Sequence, residues 1–100
     1  NQYSFFEFYP DRDKIALYDG SNFYINNCSD FSNDYSFQLS NTSVLNIDFN
    51  YNKILTYYNN AFYVYSLIDG TLLNKINTYS RYGYLFNNYI FCNGSQIYLN

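Results

Sequence analysis

The stretch from Leu45 to Ile76 reads LNIDFNYNKILTYYNNAFYVYSLIDGTLLNKI. Leu45, Ile47 and Phe49 alternate with Asn46, Asp48 and Asn50, the period of two that marks a strand with one face toward a core. A second apolar run, Ile54 to Tyr58, ends at Asn59-Asn60, a pair that tolerates the positive φ of a two-residue hairpin turn. The third run is Phe62 to Leu67, and Asp69-Gly70 turns the chain into a fourth, Thr71 to Ile76. Phe62-Tyr63-Val64-Tyr65 is apolar or aromatic at every position, so both faces of that strand are expected to be dry. A lone antiparallel sheet does not need this, whereas small sheets stacked face to face do.

The same pattern recurs. Phe23-Tyr24-Ile25, Phe62-Tyr63-Val64 and Ile97-Tyr98-Leu99 each follow an apolar run opening with Ile15, Ile54 or Ile90, and a period of this length is the mark of stacked repeat units. The spacing predicts blade-like repeats over 1–40 and 41–79 and an incomplete one over 80–100. In the first, Phe6 and Phe8 align with Leu45 and Ile47, and Pro10 ends the strand. Its fourth strand is expected at Tyr35 to Leu39 after a longer loop through Asn27-Cys28-Ser29-Asp30. In the third, Tyr82, Tyr84 and Phe86 are expected to form the first strand, aligned with Leu45, Ile47 and Phe49 after a one-residue deletion. The fold class is therefore all-β, read as antiparallel four-stranded blades of a β-propeller, with a self-contained β-sandwich as the alternative.

Composition agrees with a sheet protein. Tyr and Phe supply 25 of the 100 residues, types that pack well on a pleated surface. The formal charge of −3, with five scattered basic residues, excludes a phosphate-binding surface, so no nucleic-acid partner is expected. No run approaches the roughly 18 apolar residues of a membrane span. The chain opens Asn1-Gln2 and contains no Met, and it reads as a processed product or an excerpt of a longer polypeptide. Many Asn against few Lys suits the neutral surfaces found outside cells, a soft lean toward an extracellular location.

On these residues the chain resembles the WD-repeat and quinoprotein-type propeller families. Leu45 to Ile76 looks like one complete blade, and FEFYPDRDKIALYDGSNFYIN, from Phe6 to Asn26, is similar through three strands. There is no Trp, so Tyr65-Ser66 stands where such repeats carry Trp-Asp. The resemblance implies a platform for protein partners, bound through the loops of one face or the blade rim.

Candidate chemical sites are few. Without His, and with Glu7 the sole Glu, no acid-base pair is evident and no catalytic residue, cofactor or metal is assigned. Asp11 and Asp13 fall short of the six to eight oxygens calcium takes and read as a turn. Asn27, Asn41 and Asn93 head glycosylation sequons, but 17 Asn and 14 Ser plus Thr produce about that many by chance. The fifteen Tyr read mainly as sheet-packing rings, with Tyr57, Tyr58 or Tyr82 as candidates for stacking a sugar.

Two functions follow. One is a non-enzymatic propeller-like scaffold for protein–protein interaction. The other is a secreted or surface structural protein, a filament, capsid or surface-layer subunit, and a complete chain of that kind could be a homo-oligomer. The cysteines separate the underlying folds: blades keep Cys28 and Cys92 apart as free thiols, whereas a sandwich could bridge them across its core.

Overall fold

The computed structural model describes residues 2–100, and all regular structure among them is β-strand. A first sheet is the meander β1 (Phe5–Phe8), β2 (Lys14–Tyr18), β3 (Asn22–Asn27) and β4 (Asn33–Gln38). A second is β5 (Ser43–Asp48), β6 (Lys53–Tyr58), β7 (Ala61–Ser66) and β8 (Leu72–Asn77). The third has three strands, β9 (Tyr84–Phe86), β10 (Tyr89–Cys92) and β11 (Ser95–Tyr98). All neighbouring strands are antiparallel. The first sheet belongs to a compact unit ending at Asn41, and the other two form a second unit, Thr42–Asn100.

The first two sheets match at an offset of 39 through their second, third and fourth strands and the last two pairs of the first hairpin, while the pairing of β5 with β6 carries a register shift at Val44/Asn46 that β1 and β2 lack. Ile15 lies between Phe8 and Asn26, as Ile54 lies between Ile47 and Tyr65. Phe23 lies between Tyr18 and Phe37, as Phe62 lies between Tyr57 and Ile76, and both rings are fully buried. Even the irregularity repeats: each third and fourth strand slips register at the same place, Ile25/Asn26 and Val64/Tyr65. A bulge bends its strand and sharpens the local twist, so the third and fourth strands of both sheets bend at the same place. Ile15, Ile54 and Ile90 are each the second residue of a second strand, and all three are buried.

Backbone ties close each sheet in the same way. The residue after every third strand donates its N–H to the turn between the first two strands: Cys28 to the Asp13 carbonyl, Leu67 to Asn52 and Leu99 to Asn88, at 2.8–2.9 Å. Tight turns fall on residues suited to positive φ, Asn59-Asn60, Asn87-Asn88 and Asn93-Gly94.

Three expectations are corrected by this register. The loop Cys28–Ser32 is no longer than Leu67–Thr71, and β4 begins at Asn33 rather than Tyr35. Gly70 holds φ 77° in one loop, and Phe31 takes the equivalent place at φ 60° in the other, which disguised the likeness. In the third sheet Leu85, between two exposed aromatics, is the inward residue of the first strand, because it pairs with Ile90. The third hairpin is also shorter than its counterparts, so Leu99 corresponds to Leu67 and not to Val64. Both cysteines are free thiols.

In the second unit the core is Leu55, Phe62, Val64, Leu85, Ile90 and Leu99, contributed by both sheets. Gly83 passes so close over Phe62 that a Cβ there would lie 2.9 Å from the ring's Cζ. Tyr63, expected to be core, is only half-buried; it stacks on Tyr65 with centroids 6.3 Å apart, and the Lys75 ammonium sits 5.6 Å from its ring. Phe62→Ala should therefore lower stability by about 3–5 kcal/mol, the range for a buried aromatic, and Tyr63→Ala by distinctly less, in urea titrations of both. Phe31→Gly should raise it by up to about 1 kcal/mol, because relief of a left-handed conformation exceeds the added chain entropy; a lower midpoint would contradict that.

Candidate interaction surface

Sequence alternation places Asn46 and Asp48 on the solvent side of β5, yet both are buried. They work as a substitute strand for β9, whose outer edge has no neighbour in its own sheet. The Asn46 carboxamide donates from Nδ2 to the Leu85 carbonyl and accepts from the Leu85 N–H at Oδ1, both at 2.9 Å. Asp48 accepts from the backbone N–H of Asn87 at 2.9 Å through one oxygen and from that of Asn50 at 3.2 Å through the other. At the turn end, Lys53 Nζ donates to Asn88 Oδ1 at 2.7 Å and the Tyr51 hydroxyl lies 3.1 Å from Asn87 Oδ1. Among the described residues no buried side-chain nitrogen or oxygen lacks a partner. The contacts of Asn46 with Leu85 and Asp48 with Asn87 span 39 residues, and nothing local marks them in the sequence.

The face of the third sheet directed away from this joint is aromatic and open. Cross-strand partners share a face, so Phe86, Tyr89 and Tyr98 form one row, and Tyr84, Phe91 and Gln96 form the next. Tyr84, Phe86, Phe91 and Tyr98 are 58, 58, 41 and 59% exposed. Tyr89 ties the rings together, with centroids 6.2 Å from Phe91 and 5.1 Å from Tyr98. Of the aromatics singled out for sugar stacking, Tyr58 and Tyr82 are exposed, whereas Tyr57 packs against the core and its hydroxyl accepts from the Asn60 N–H.

The turn residues proposed as sites serve the backbone. Asp11 accepts from the Asp13 N–H at 3.0 Å, an Asx turn rather than a cation cradle. Backbone donors at Asn22 and Ser21 hold the Asp19 carboxyl below its ordinary value, Ser32 does the same for Asp30, and the Thr71 N–H for Asp69. Asp30 and Asp69 occupy equivalent loops and make the same bond, 3.0 Å to the N–H two residues on. In the first unit, burial first and a hydrogen bond with Tyr35 second push the Tyr9 phenol above its ordinary range.

The sequon residues occupy three different settings. Asn27 ends β3 half-buried, its Oδ1 accepting from Lys14 Nζ and its Nδ2, the atom a glycan needs, donating to Ser32 Oγ at 3.1 Å. Asn41 is exposed between β4 and β5, and Asn93 is exposed in a tight turn with φ 49°. Lys14 also reaches Asp34 at 2.8 Å in a partly exposed ion pair.

Asn46→Leu should leave the buried N–H and C=O of Leu85 unpaired, costing about 1–3 kcal/mol for each group. Asn50→Leu, on the exposed turn, serves as the control and should change the midpoint little in the same denaturation experiment.

No protein-family model and no curated protein matches the sequence. Among solved structures, the crystal structure of Kluyvelomyces marxianus Hsv2 superposes on 90% of this chain with a TM-score of 0.63 at 15% identity. The chain spans 31% of the length of that protein, a β-propeller. Repeated meanders with a shared register, stacked through their faces in the second unit, together with this likeness, establish the fold as successive antiparallel blades of a β-propeller.

Proposed function

We propose that the chain supplies blades of a WD-repeat-like propeller that acts as a non-enzymatic scaffold for protein–protein interaction. The observation that carries the reading is the rim formed at one end of the second sheet by Asn59, Asn60, Asn77, Thr78 and Tyr79, around an open cavity of about 330 Å³. Its backbone is held by a tight Asn-Asn turn and by the Thr78 N–H bonded to the Asn60 carbonyl at 3.0 Å. Tyr79 projects from it fully exposed. A rigid amide-rich rim with a protruding Tyr suits protein recognition, since Tyr supplies contact area at low conformational cost.

The carboxylates support a structural role. Asp11, Asp19, Asp30, Asp48 and Asp69 all accept backbone N–H bonds, and Asp34 pairs with Lys14. A second reading, a structural subunit that assembles with copies of itself, is favoured by the open aromatic face of the third sheet. Affinity capture from the source organism with wild-type and Tyr79→Ala chains of matched thermal stability tests the scaffold. A protein retained by the first and lost by the second is expected. Retention indifferent to the rim, or turnover of a substrate by the purified chain, would count against it.

A further inference from the structure

The joint inside the second unit shows what covers a face like the open one on the third sheet. On the second sheet, the rows Asp48–Lys53–Ser66 and Asn46–Leu55–Val64 receive the third sheet. Counting from the corresponding turns, the rows Phe86–Tyr89–Tyr98 and Tyr84–Phe91–Gln96 occupy the same places one sheet further on. The covering face in the observed joint centres on Leu85, Ile90 and Leu99, each almost fully buried.

The chain carries a second face of that covering type. Phe8 pairs with Ile15 in the first sheet as Leu85 pairs with Ile90 in the third, so Phe8 stands in the place of Leu85. Phe8 is 40% exposed and Phe6, on the same side of β1, 63%. The guanidinium of Arg12 sits 5.2 Å from the centroid of the Phe8 ring. The receiving rows have also changed in kind. Where the second sheet offers the hydrogen-bonding Asn46 and Asp48, the third offers Tyr84 and Phe86, and an aromatic surface is suited to aromatic rings with a cation among them.

We propose that the Tyr84–Phe86–Phe91–Tyr98 face of one copy receives the Phe6–Phe8 face of a second copy, a head-to-tail joint that extends the blade series beyond a single chain. The proposal rests on the propeller reading above. Its two surfaces differ, so the contact is heterologous and propagates to a ring or an open array instead of stopping at a symmetric pair.

Complementation between blocked variants tests it. Phe6→Asp/Phe8→Asp removes the covering face, and Phe86→Asp/Phe91→Asp removes the receiving face. Phe8→Ser and Phe91→Ser provide milder blocks should a double variant fail to fold. In sedimentation velocity the wild-type chain should associate as concentration rises, each blocked variant should remain at the monomer mass of 12.0 kDa, and an equimolar mixture of the two should form a one-to-one dimer through the single intact joint. Self-association that survives the Phe6/Phe8 block would overturn the proposal in favour of third sheets meeting each other, and a mixture that stays monomeric would overturn it outright. A wild-type monomer with slowly exchanging amides at Ile15, Ile54 and Ile90 would refute the joint and leave the propeller reading standing. A monomer lacking that protection would refute both.

Discussion

Phe62 and Val64 give the third strand of the second sheet one face that cannot be left in water, and this constraint governs the rest of the second unit. Leu55, Phe62 and Val64 lie on one face of the second sheet and become dry only because Leu85, Ile90 and Leu99 arrive from the next. Area buried this way favours folding by about 25 cal/mol per Å², but a single small sheet has nothing of its own to bury it against. The repeat is thus a physical necessity: one blade creates the need that its successor meets.

Apolar contact is non-directional and does not set the angle or height of one sheet on the next. Asn46 and Asp48 do so within the second unit, by offering side-chain hydrogen bonds to the edge of β9 in the spacing of a strand. The arrangement tolerates little change, because a buried N–H or C=O without a partner is expensive. It also explains how a first strand as short as Tyr84–Phe86 keeps its place. Side chains of the preceding sheet supply the hydrogen bonds that a longer ladder would otherwise provide.

Fidelity between the first two sheets extends to features with no hydrophobic content: the bulge, the Asx turn at Asp30 and Asp69, and the tie from strand three back to the first turn. These backbone devices give the β3–β4 and β7–β8 pairs the same bend, while the register shift at Val44/Asn46 is confined to the second sheet. Where one departs from its best residue, as Phe31 does in the place of Gly70, the backbone conformation is preserved and the residue bears the strain.

The sequence by itself determined the class of fold, the number of strands in each sheet and most turns, because period-two alternation, Asn-Asn and Asp-Gly pairs and a recurring Ile are local signals. It also placed Phe23 and Phe62 in equivalent strands. It misplaced what depends on register between distant segments. Leu85 could not be told from Tyr84 and Phe86 as the inward residue, since all three are apolar and only pairing with Ile90 decides. The shortened third hairpin hid the kinship of Leu99 with Leu67. For the candidate surface, Asn27, Asn41 and Asn93 were legible as sequons, but not the engagement of Asn27 with Lys14 and Ser32. Above all, Asn46 and Asp48 follow the alternation of solvent-facing residues, and an open aromatic face looks like core in a one-dimensional pattern. Only the stacking of one sheet on another determines which polar residues are buried with partners and which rings are left facing water.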